Sequence, residues 1–257
     1  MAIVTGGATG IGRACCLALA AEGADVVVVD VQAEAAAEVE TEVLALGRAG
    51  LVQLCDVSDP DQVAAMVGAV IERFGRVDVL VNGAIRRAGG PLESLSLQSW
   101  DSLMNIGLRG YFIVGQAVGR EMIARGSGVI INLASTGGHT PYPGAGAYSS
   151  CKAAVIMLAK CFAVEWAQYG VRACSISPGM IRTPMTDHIY KDPEQLRGRS
   201  AAAPLGRIGS GEEIARVAVF LASDDASYIT GEDVLVDGGF VYSKFTHVPG
   251  RHQVSDS

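Results

Sequence analysis

Charged residues are scarce in this chain of 257 residues, and lysine is the least frequent of the four charged residue types. Asp, Glu, Lys and Arg together make up 18% of the sequence, only four residues are lysine, and the formal net charge is −7. Nucleic-acid binding normally requires a face of clustered Lys and Arg, and no such run is present. The sequence therefore argues against nucleic acid as a partner.

Patterns of metal-binding or disulfide-forming residues are also missing. The histidines are scattered without metal-ligand spacing, and the cysteines contain no CxxC pair. We therefore predict no metal site, and we expect buried, reduced thiols in place of a disulfide framework. The cysteines are Cys15, Cys16, Cys55, Cys151, Cys161 and Cys174, and the histidines are His139, His188, His247 and His252.

Long hydrophobic runs are absent from the sequence as read by eye. No apolar stretch approaches the roughly 20 residues that span a bilayer, and no basic leader with a cleavage site follows Met1. We therefore expect no membrane association and a cytoplasmic location. With 49% hydrophobic residues the composition is that of a soluble globular protein, since a disordered chain would be less apolar and more charged.

The chain does contain a series of short segments rich in valine and isoleucine. Their near-continuous hydrophobicity is typical of strands that are covered on both faces. Seven such segments lie at residues 2–6, 25–30, 51–57, 77–83, 128–135, 172–179 and 233–239.

Helical periodicity fills the intervals between these segments, so the order is β-α-β-α along the chain. This alternation predicts an α/β fold, one doubly wound domain of the Rossmann type, with a parallel sheet covered by helices on both faces. No linker divides the chain, so we expect a single domain over residues 1–257. The long polar segment 180–210 is interpreted as a substrate lid, and residues 240–257 as a tail beyond the last strand.

A glycine-rich loop, "VTGGATGIG", follows the first predicted strand and leads into the first helix. Gly6, Gly10 and Gly12 have the spacing GxxxGxG, which differs from the GxGxxG fingerprint. Glycines at such a turn let a pyrophosphate approach the backbone and the positive end of the helix. A strand-to-helix turn is also glycine-rich for backbone reasons alone, so both interpretations stay open for the loop by itself.

Asp30 ends the second predicted strand, 18 positions after Gly12. A carboxylate at that strand end accepts hydrogen bonds from the adenosine ribose hydroxyls and repels a 2′-phosphate. Thr9 and Val31 supply none of the positive charge that a 2′-phosphate requires. These residues predict NAD as the cofactor in preference to NADP.

Tyr148 and Lys152 lie four positions apart in "AYSSCK", so on a helix they share one face. A tyrosine with a reference pKa near 10 must be shifted down by about 3 units, or roughly 4 kcal/mol, to act as a base at neutral pH. One ammonium about 4 Å away supplies about that much at an effective dielectric constant near 20. Ser135 ends the fifth predicted strand, where its hydroxyl would reach a substrate oxygen while Tyr148 exchanges the proton.

These motifs, from "TGGATGIG" to "YITGEDVLVDGG", resemble those of the short-chain dehydrogenase/reductase family over residues 1 to about 240. The resemblance implies a seven-stranded sheet, a homotetramer formed through helices at 98–125 and 148–169, and a catalytic tetrad. Its members would be Asn105, which fixes a water, Ser135, Tyr148 and Lys152, which also binds the nicotinamide ribose. The other cofactor-binding positions that we carry over are Gly6, Thr9, Gly10, Ile11, Gly12, Asp30, Val31, Asp56, Val57, Asn82, Gly83, Ala84, Pro178, Gly179, Ile181 and Thr183.

The sequence departs from the family pattern after the fourth strand. Where the family usually reads NNAG, this chain has Asn82, Gly83, Ala84 and Ile85, which puts the sheet-supporting hydrogen bonds and the cleft wall in doubt. The pair Arg86–Arg87 follows, and two interpretations stay open for it: recognition of a carboxylate-bearing substrate, or solvated loop charges. A contact of His139 with substrate is a further open possibility.

The function that we expect is NAD-dependent interconversion of a secondary alcohol and a ketone by hydride transfer. The first alternative is a 3-oxoacyl-acyl-carrier-protein reductase that uses NADPH, and Asp30 argues against it. The second is a dinucleotide-sensing regulator without turnover, which would be expected to lack Tyr148 or Lys152. A sugar-nucleotide epimerase shares the YxxxK motif but has a different glycine spacing and a larger substrate domain. The sequence does not rank the possible alcohols.

Overall fold

The computed structural model describes residues 1–86 and 89–243. Its strands are β1 (Ala2–Thr5), β2 (Val26–Asp30), β3 (Gly50–Leu54), β4 (Val79–Asn82), β5 (Gly128–Leu133), β6 (Val171–Pro178), β7 (Ile181–Arg182), β8 (Gly209–Ser210) and β9 (Asp233–Val236). All but the two short strands form one seven-stranded parallel sheet in the order β3-β2-β1-β4-β5-β6-β9, and β7 pairs with β8 apart from it. The predicted seven-stranded parallel sheet is confirmed.

Helices connect the strands and cover both faces of the sheet. They are α1 (Gly10–Ala21), α2 (Ala33–Ala45), α3 (Pro60–Phe74), α4 (Leu97–Met104), α5 (Gly110–Arg125), α6 (Gly146–Trp166), α7 (Asp187–Tyr190), α8 (Pro193–Ala202) and α9 (Gly211–Ala222). One core cluster joins α1, α2 and α9 to the sheet, and a second joins α3, α5 and α6 to the opposite face. The sheet and its helices therefore bury their apolar residues in two hydrophobic layers, one on each face of the sheet.

The register of the central strands aligns their carboxyl ends. Thr5 of β1 pairs with Asn82 of β4, and Asn82 pairs with Asn132 of β5. Because β1 lies between β2 and β4, the chain crosses in opposite directions on either side of it. Such a switch point opens a crevice above the strand ends, where ligands of doubly wound sheets bind.

Local signals at helix ends agree with the sequence. Ser210 and Glu213 form a capping box at the start of α9, and Gly75 ends α3 in the left-handed conformation with φ of 71°. Both devices satisfy backbone groups that a helix end leaves unpaired.

Two segments differ from their predicted form. The helix expected over 98–125 is divided, because a π-helical turn, Asn105–Arg109, separates α4 from α5. The segment 180–210, read from the sequence as a polar insertion, contains the short helices α7 and α8 and is bounded by the β7–β8 pair. The sequence pattern did not reveal the π turn, because a π turn contains the same types of residue as an α-helix.

The expectation that all cysteines are buried is wrong for Cys161, which is exposed on α6. The other five are buried, and all six are free thiols. Burial raises the pKa of Cys15 to about 12, so this thiol stays protonated and behaves as a small apolar side chain.

The expectation that no stretch is long and apolar enough to span a membrane is also not met. The helical segment Gly146–Tyr169 passes by length and composition, with a mean hydropathy of 1.4 over its best window. Half of that window is buried inside the fold, and the segment carries the buried Lys152. This is weak evidence for a membrane span, since a core helix that packs on a sheet passes the same test.

Candidate active site

A crevice of 810 Å³ lies above the carboxyl ends of the central strands. It brings together all but two of the predicted site residues, the exceptions being Asn82 and Asn105. The predicted residues that line it are Gly6, Thr9, Gly10, Ile11, Gly12, Asp30, Val31, Asp56, Val57, Gly83, Ala84, Ser135, Tyr148, Lys152, Pro178, Gly179, Ile181 and Thr183. The glycine loop, the Asp30 strand end and the Tyr148–Lys152 pair therefore share one cavity.

The glycine loop fits close approach by a dinucleotide. Gly6 and Gly10 have φ values of 66° and 57°, which side-chain-bearing residues rarely adopt. A Cβ on Gly12 would collide with the Gly6 carbonyl group, so only glycine allows α1 to begin directly against the end of β1. The first amides of α1 are thereby presented at the crevice, where a pyrophosphate would bind.

Asp30 is held by backbone amides at the end of β2. Its Oδ1 accepts hydrogen bonds from the amides of Val31 at 2.8 Å and Gln32 at 3.1 Å, and its Oδ2 accepts one from Ala8 at 3.1 Å. Only 9% of the residue is exposed, although it lines the crevice. This geometry fixes the carboxylate where the ribose of an adenosine would lie.

The region that departs from the family's NNAG pattern keeps its sheet-supporting hydrogen bonds. The amides of Gly83 and Ala84 donate to Oγ1 of Thr5 at 3.0 and 3.3 Å. Asn82, buried behind the crevice wall, donates from Nδ2 to Asn132 Oδ1 at 3.1 Å and to the Tyr111 carbonyl oxygen at 3.3 Å. Asn82 therefore supports the wall and does not line the crevice.

The side chains of Ser135 and Tyr148 both lie next to Gly137. A Cβ on Gly137 would be 3.3 Å from Cε1 of Tyr148 and 3.4 Å from Oγ of Ser135, so the two side chains are near neighbours. Oγ of Ser135 accepts a hydrogen bond from the Gly137 amide at 3.0 Å. Because this bond uses a lone pair, the hydroxyl proton of Ser135 remains available to a substrate oxygen.

Lys152 is buried below Tyr148, with 2% of the residue exposed. Its Nζ lies 6.0 Å from the centroid of the Tyr148 ring and donates hydrogen bonds to the Leu133 carbonyl oxygen at 2.6 Å and to the Tyr111 hydroxyl at 3.2 Å. Burial lowers the pKa of Lys152 to about 8, because the interior disfavours an ammonium. The predicted pair is therefore assembled, and a third residue, Tyr111, contacts it.

Asn105 is not brought to this site. It is exposed on the π turn and lies in an adjoining recess with Asp101, next to Asp56 and Arg86, which also line the crevice. The residue of that turn that faces α6 is Gly107, which is buried. In this structure Asn105 therefore does not line the crevice with Ser135, Tyr148 and Lys152, and its predicted catalytic role is not supported by its position.

Comparison with known proteins assigns the family. A family model described as enoyl-(acyl carrier protein) reductase matches residues 6–241. A 3-oxoacyl-acyl-carrier-protein reductase of Thermotoga maritima is 39% identical over 242 residues, covering 93% of this chain and 96% of that protein. The chain belongs to the short-chain dehydrogenase/reductase family. A D-threitol dehydrogenase of Mycolicibacterium smegmatis is 40% identical, with 93% of this chain and 92% of that protein covered.

Solved structures agree with this assignment. Levodione reductase superposes with a TM-score of 0.90 at 37% identity, covering 94% of this chain and 97% of that one. Related structures include an NAD⁺-bound xylitol dehydrogenase, with a TM-score of 0.89 at 31% identity, and a gluconate 5-dehydrogenase of Burkholderia cenocepacia in complex with NADP and tartrate, with 0.89 at 35%. Each comparison covers 93% or more of both chains. The family uses nicotinamide dinucleotides, and these neighbours include both forms.

Several crevice residues of this family member were not found from the sequence. They come from the segment 180–210, the loop after Ser135 and the end of the sheet: Thr140, Pro141, Tyr142, Thr186, Ile189, Tyr190, Arg199 and Phe240. Aromatic and aliphatic residues carry no motif of their own, so only the tertiary structure places them together. Of the predicted arginine pair, Arg86 lines the crevice, while Arg87 lies outside the described residues, as do residues 244–257 of the predicted tail.

His139 does not line the crevice. Its Nε2 lies 2.6 Å from Oδ2 of Asp233 on β9, and 3.4 Å from Oγ of Ser177. This contact anchors the loop that follows Ser135. Within the part of the chain that the structure describes, no group of three or more His, Cys, Asp or Glu could hold a metal ion, and the absence of a metal site stays a prediction.

Proposed function

We propose that this short-chain dehydrogenase/reductase interconverts a secondary alcohol and a ketone with NAD(H), using Tyr148 as the acid/base. The observation that carries the proposal is the position of Tyr148 in the same crevice as the glycine loop, beside Ser135 and above the buried Lys152. A regulator that had abandoned turnover would not need to bury an ammonium there, since an uncompensated buried charge is costly.

The roles of the three side chains follow from their contacts. In the oxidation direction, the hydroxyl of Ser135 donates a hydrogen bond to the substrate oxygen, and the phenolate of Tyr148 accepts the hydroxyl proton as the C–O bond becomes a carbonyl. Lys152 stabilises that phenolate by its positive charge. A nicotinamide dinucleotide held in this crevice would accept the hydride that leaves the carbinol carbon. Reduction is the reverse, with protonated Tyr148 as the donor.

We propose NAD as the cofactor, and not NADP, because of the charged residues at the adenosine end of the crevice. Asp30 and Asp56 are the acidic residues that line it, while the lining lysine and arginines are Arg86, Lys152 and Arg199. None of these three follows β2, where a 2′-phosphate would lie, and the residues after Asp30 are Val31 and Gln32. A carboxylate there repels a phosphate dianion.

Arg86 and Arg199 support an acidic group on the substrate. Both line the crevice, and a guanidinium stays positively charged there. Segment 180–210 supplies Arg199, which fits the proposal that this segment is a lid over the substrate. We therefore include hydroxy acids beside polyols and cyclic alcohols as candidate substrates.

The homotetramer and the cytoplasmic location remain proposals. Exposed apolar side chains on α5 and α6 support assembly, namely Phe112, Met157 and Val164, the last with 82% of its surface exposed. The free cysteines support a reducing compartment.

The test is an absorbance screen of alcohols and ketones with NAD(H) and NADP(H) in parallel, at 340 nm. We expect Tyr148→Phe to lower kcat by about 10² to 10⁴ on any substrate found, since the phenol proton is lost while the ring remains. Tyr169→Phe, an exposed tyrosine away from the crevice, is the matched control and should keep full activity. Unchanged turnover by Tyr148→Phe would remove the mechanism.

A second candidate is reduction of a 3-oxoacyl-acyl-carrier-protein, favoured by the 39% identity to such a reductase. The same screen separates the two functions when a 3-oxoacyl thioester is included. If the enzyme reduced that thioester with NADPH in preference to NADH, the proposed NAD-dependent activity would be wrong and the second candidate correct.

A further inference from the structure

The ammonium of Lys152 is held by two oxygen atoms that do not come from its own helix. The Leu133 carbonyl oxygen at the end of β5 accepts one hydrogen bond at 2.6 Å, and the hydroxyl of Tyr111 on α5 accepts another at 3.2 Å. That hydroxyl donates in turn to the Leu133 carbonyl oxygen at 3.1 Å. Lys152, Tyr111 and Leu133 therefore form a closed triangle of hydrogen bonds.

Tyr111 is fixed in this position by its surroundings. Only 1% of the residue is exposed, and its backbone carbonyl oxygen accepts a hydrogen bond from Nδ2 of Asn82. It lies in the first turn of α5, directly after the π turn Asn105–Arg109. The extra residue of a π turn changes which side chains of the following helix face inward. The same turn that directs Asn105 outward thus precedes a tyrosine that reaches Lys152.

Gly107 has no side chain, and the space that a Cβ there would need is already taken by the ends of two other side chains. A Cβ at this position would lie 2.5 Å from Cδ1 of Ile85 and 2.8 Å from Sγ of Cys151. Ile85 stands where the family's NNAG pattern has glycine, and the end of its side chain lies where a Cβ at 107 would need room. Neither Asn105 nor a side chain at 107 therefore contacts the lysine from this turn.

We propose that Tyr111 is the positioning residue of Lys152: its hydroxyl holds the ammonium under Tyr148 and favours its charged form. This inference rests on the proposed function, because it assigns Lys152 the task of stabilising the Tyr148 phenolate. Tyr111 itself does not touch the substrate.

The titratable groups that face Lys152 are Tyr111 on α5 and Tyr148 and Cys151 on its own helix. The end of β5 contributes the Leu133 carbonyl oxygen. Burial raises the pKa of Cys151, and burial together with the nearby Cys151 and Tyr148 raises the pKa of Tyr111 well above its usual value. Both groups stay protonated, so the tyrosine hydroxyl is the neutral acceptor that stabilises the ammonium.

The experiment uses the full chain with ¹³C-labelled lysine. Four lysines give four ε-carbon resonances, and Lys152→Arg identifies the one of interest. In Tyr111→Phe we expect the pH midpoint of the Lys152 resonance to fall by at least about 0.5 units, a threefold change, since one acceptor of the charged form is lost. The midpoint of the pH profile for alcohol oxidation should rise, because a less charged lysine stabilises the Tyr148 phenolate less.

Tyr169→Phe is the matched control, and both of its midpoints should equal those of the wild type. An unmoved Lys152 resonance in Tyr111→Phe, or an unmoved pH profile, would overturn the proposal even if the variant were less stable. If Tyr111→Phe fails to fold, Tyr111→Gln, which keeps an acceptor, is compared with Tyr111→Leu, which has none. Equal Lys152 midpoints in that pair would also overturn it.

Failure of this inference is distinguishable from failure of the proposed function. The lysine resonance is measured without substrate or turnover, whereas the proposed function fails only if Tyr148→Phe remains active. A shifted resonance in Tyr111→Phe together with an active Tyr148→Phe would leave the contact established and remove the acid/base role of Tyr148.

Discussion

At the scale of single residues, the site depends on a lysine that the fold disfavours. Lys152 is 2% exposed, and its folded pKa of about 8 lies below its unfolded value near 10.4. Below pH 8 the lysine is charged in both states, and the folded state bears the full cost of the buried ammonium. Between pH 8 and 10.4 the folded protein releases the proton first, so this cost declines as the pH rises.

Replacing Lys152 by methionine should therefore separate stability from activity. We expect Lys152→Met to raise the free energy of unfolding at pH 7 by about 1 to 3 kcal/mol, with a gain that shrinks between pH 8 and 10.4. Catalysis should be lost. Urea unfolding at several pH values measures the first effect, and turnover of the screened substrate the second. A variant less stable than wild type at pH 7 would contradict this account.

Asp30 should set the choice between the two dinucleotides. Asp30→Asn keeps an oxygen that accepts from the amides of Val31 and Gln32 but removes the charge. We expect the ratio of kcat/KM for NADP to that for NAD to rise by about 10- to 100-fold, as like-charge repulsion is relieved. Asp25→Asn, just before the other end of the same strand, is the control. If this ratio were equal in the wild type and in Asp30→Asn, residues other than Asp30 would set the preference between NAD and NADP.

At the scale of elements, the π turn between α4 and α5 shapes the inner wall of the crevice. It turns Asn105 to the surface, places Gly107 against α6 and precedes Tyr111. Ile85 and Gly107 are complementary in size, because the isoleucine fills the space that any Cβ at 107 would need. The departure from the family pattern at Ile85 and the glycine at 107 thus belong to one packing arrangement.

Gly107→Asn should be destabilising by about 1 to 3 kcal/mol because it overpacks this contact. The double variant I85G/G107N should be less destabilised than the sum of its single variants, since removing the isoleucine makes room. Gly68→Asn is the control, because a Cβ at that helical glycine meets nothing within 4 Å. Urea denaturation gives all four values. Strict additivity would show that Ile85 and Gly107 do not compete for space.

At the scale of the whole molecule, the sheet order decides where chemistry can occur. The switch point around β1 leaves the carboxyl ends of β1, β4 and β5 at one edge, so residues far apart in sequence meet in a single crevice. The outer faces of α5 and α6 remain apolar in part, and the proposed tetramer would cover them.

Val164→Asp should weaken that assembly. A carboxylate in an apolar interface between subunits costs several kcal/mol when it is unpaired, so we expect the wild-type tetramer to give way to smaller species. Size-exclusion chromatography with light scattering measures the mass. Leu44→Asp, at an exposed position on α2, should leave the mass unchanged. If the wild-type protein had the mass of a monomer, the proposed assembly through α5 and α6 would be wrong.

Sequence patterns alone were sufficient to predict the fold class, the glycine loop, the strand end at Asp30 and the pairing of Tyr148 with Lys152. These features are local: strand hydrophobicity, a turn that requires glycine and an i, i+4 spacing are written in neighbouring residues. Only the tertiary structure decided that Asn105 faces solvent, that Gly107 and Ile85 share one space, and that Tyr111 holds the lysine. Those outcomes depend on a helix rotation and on contacts between residues tens of positions apart, which no local pattern encodes.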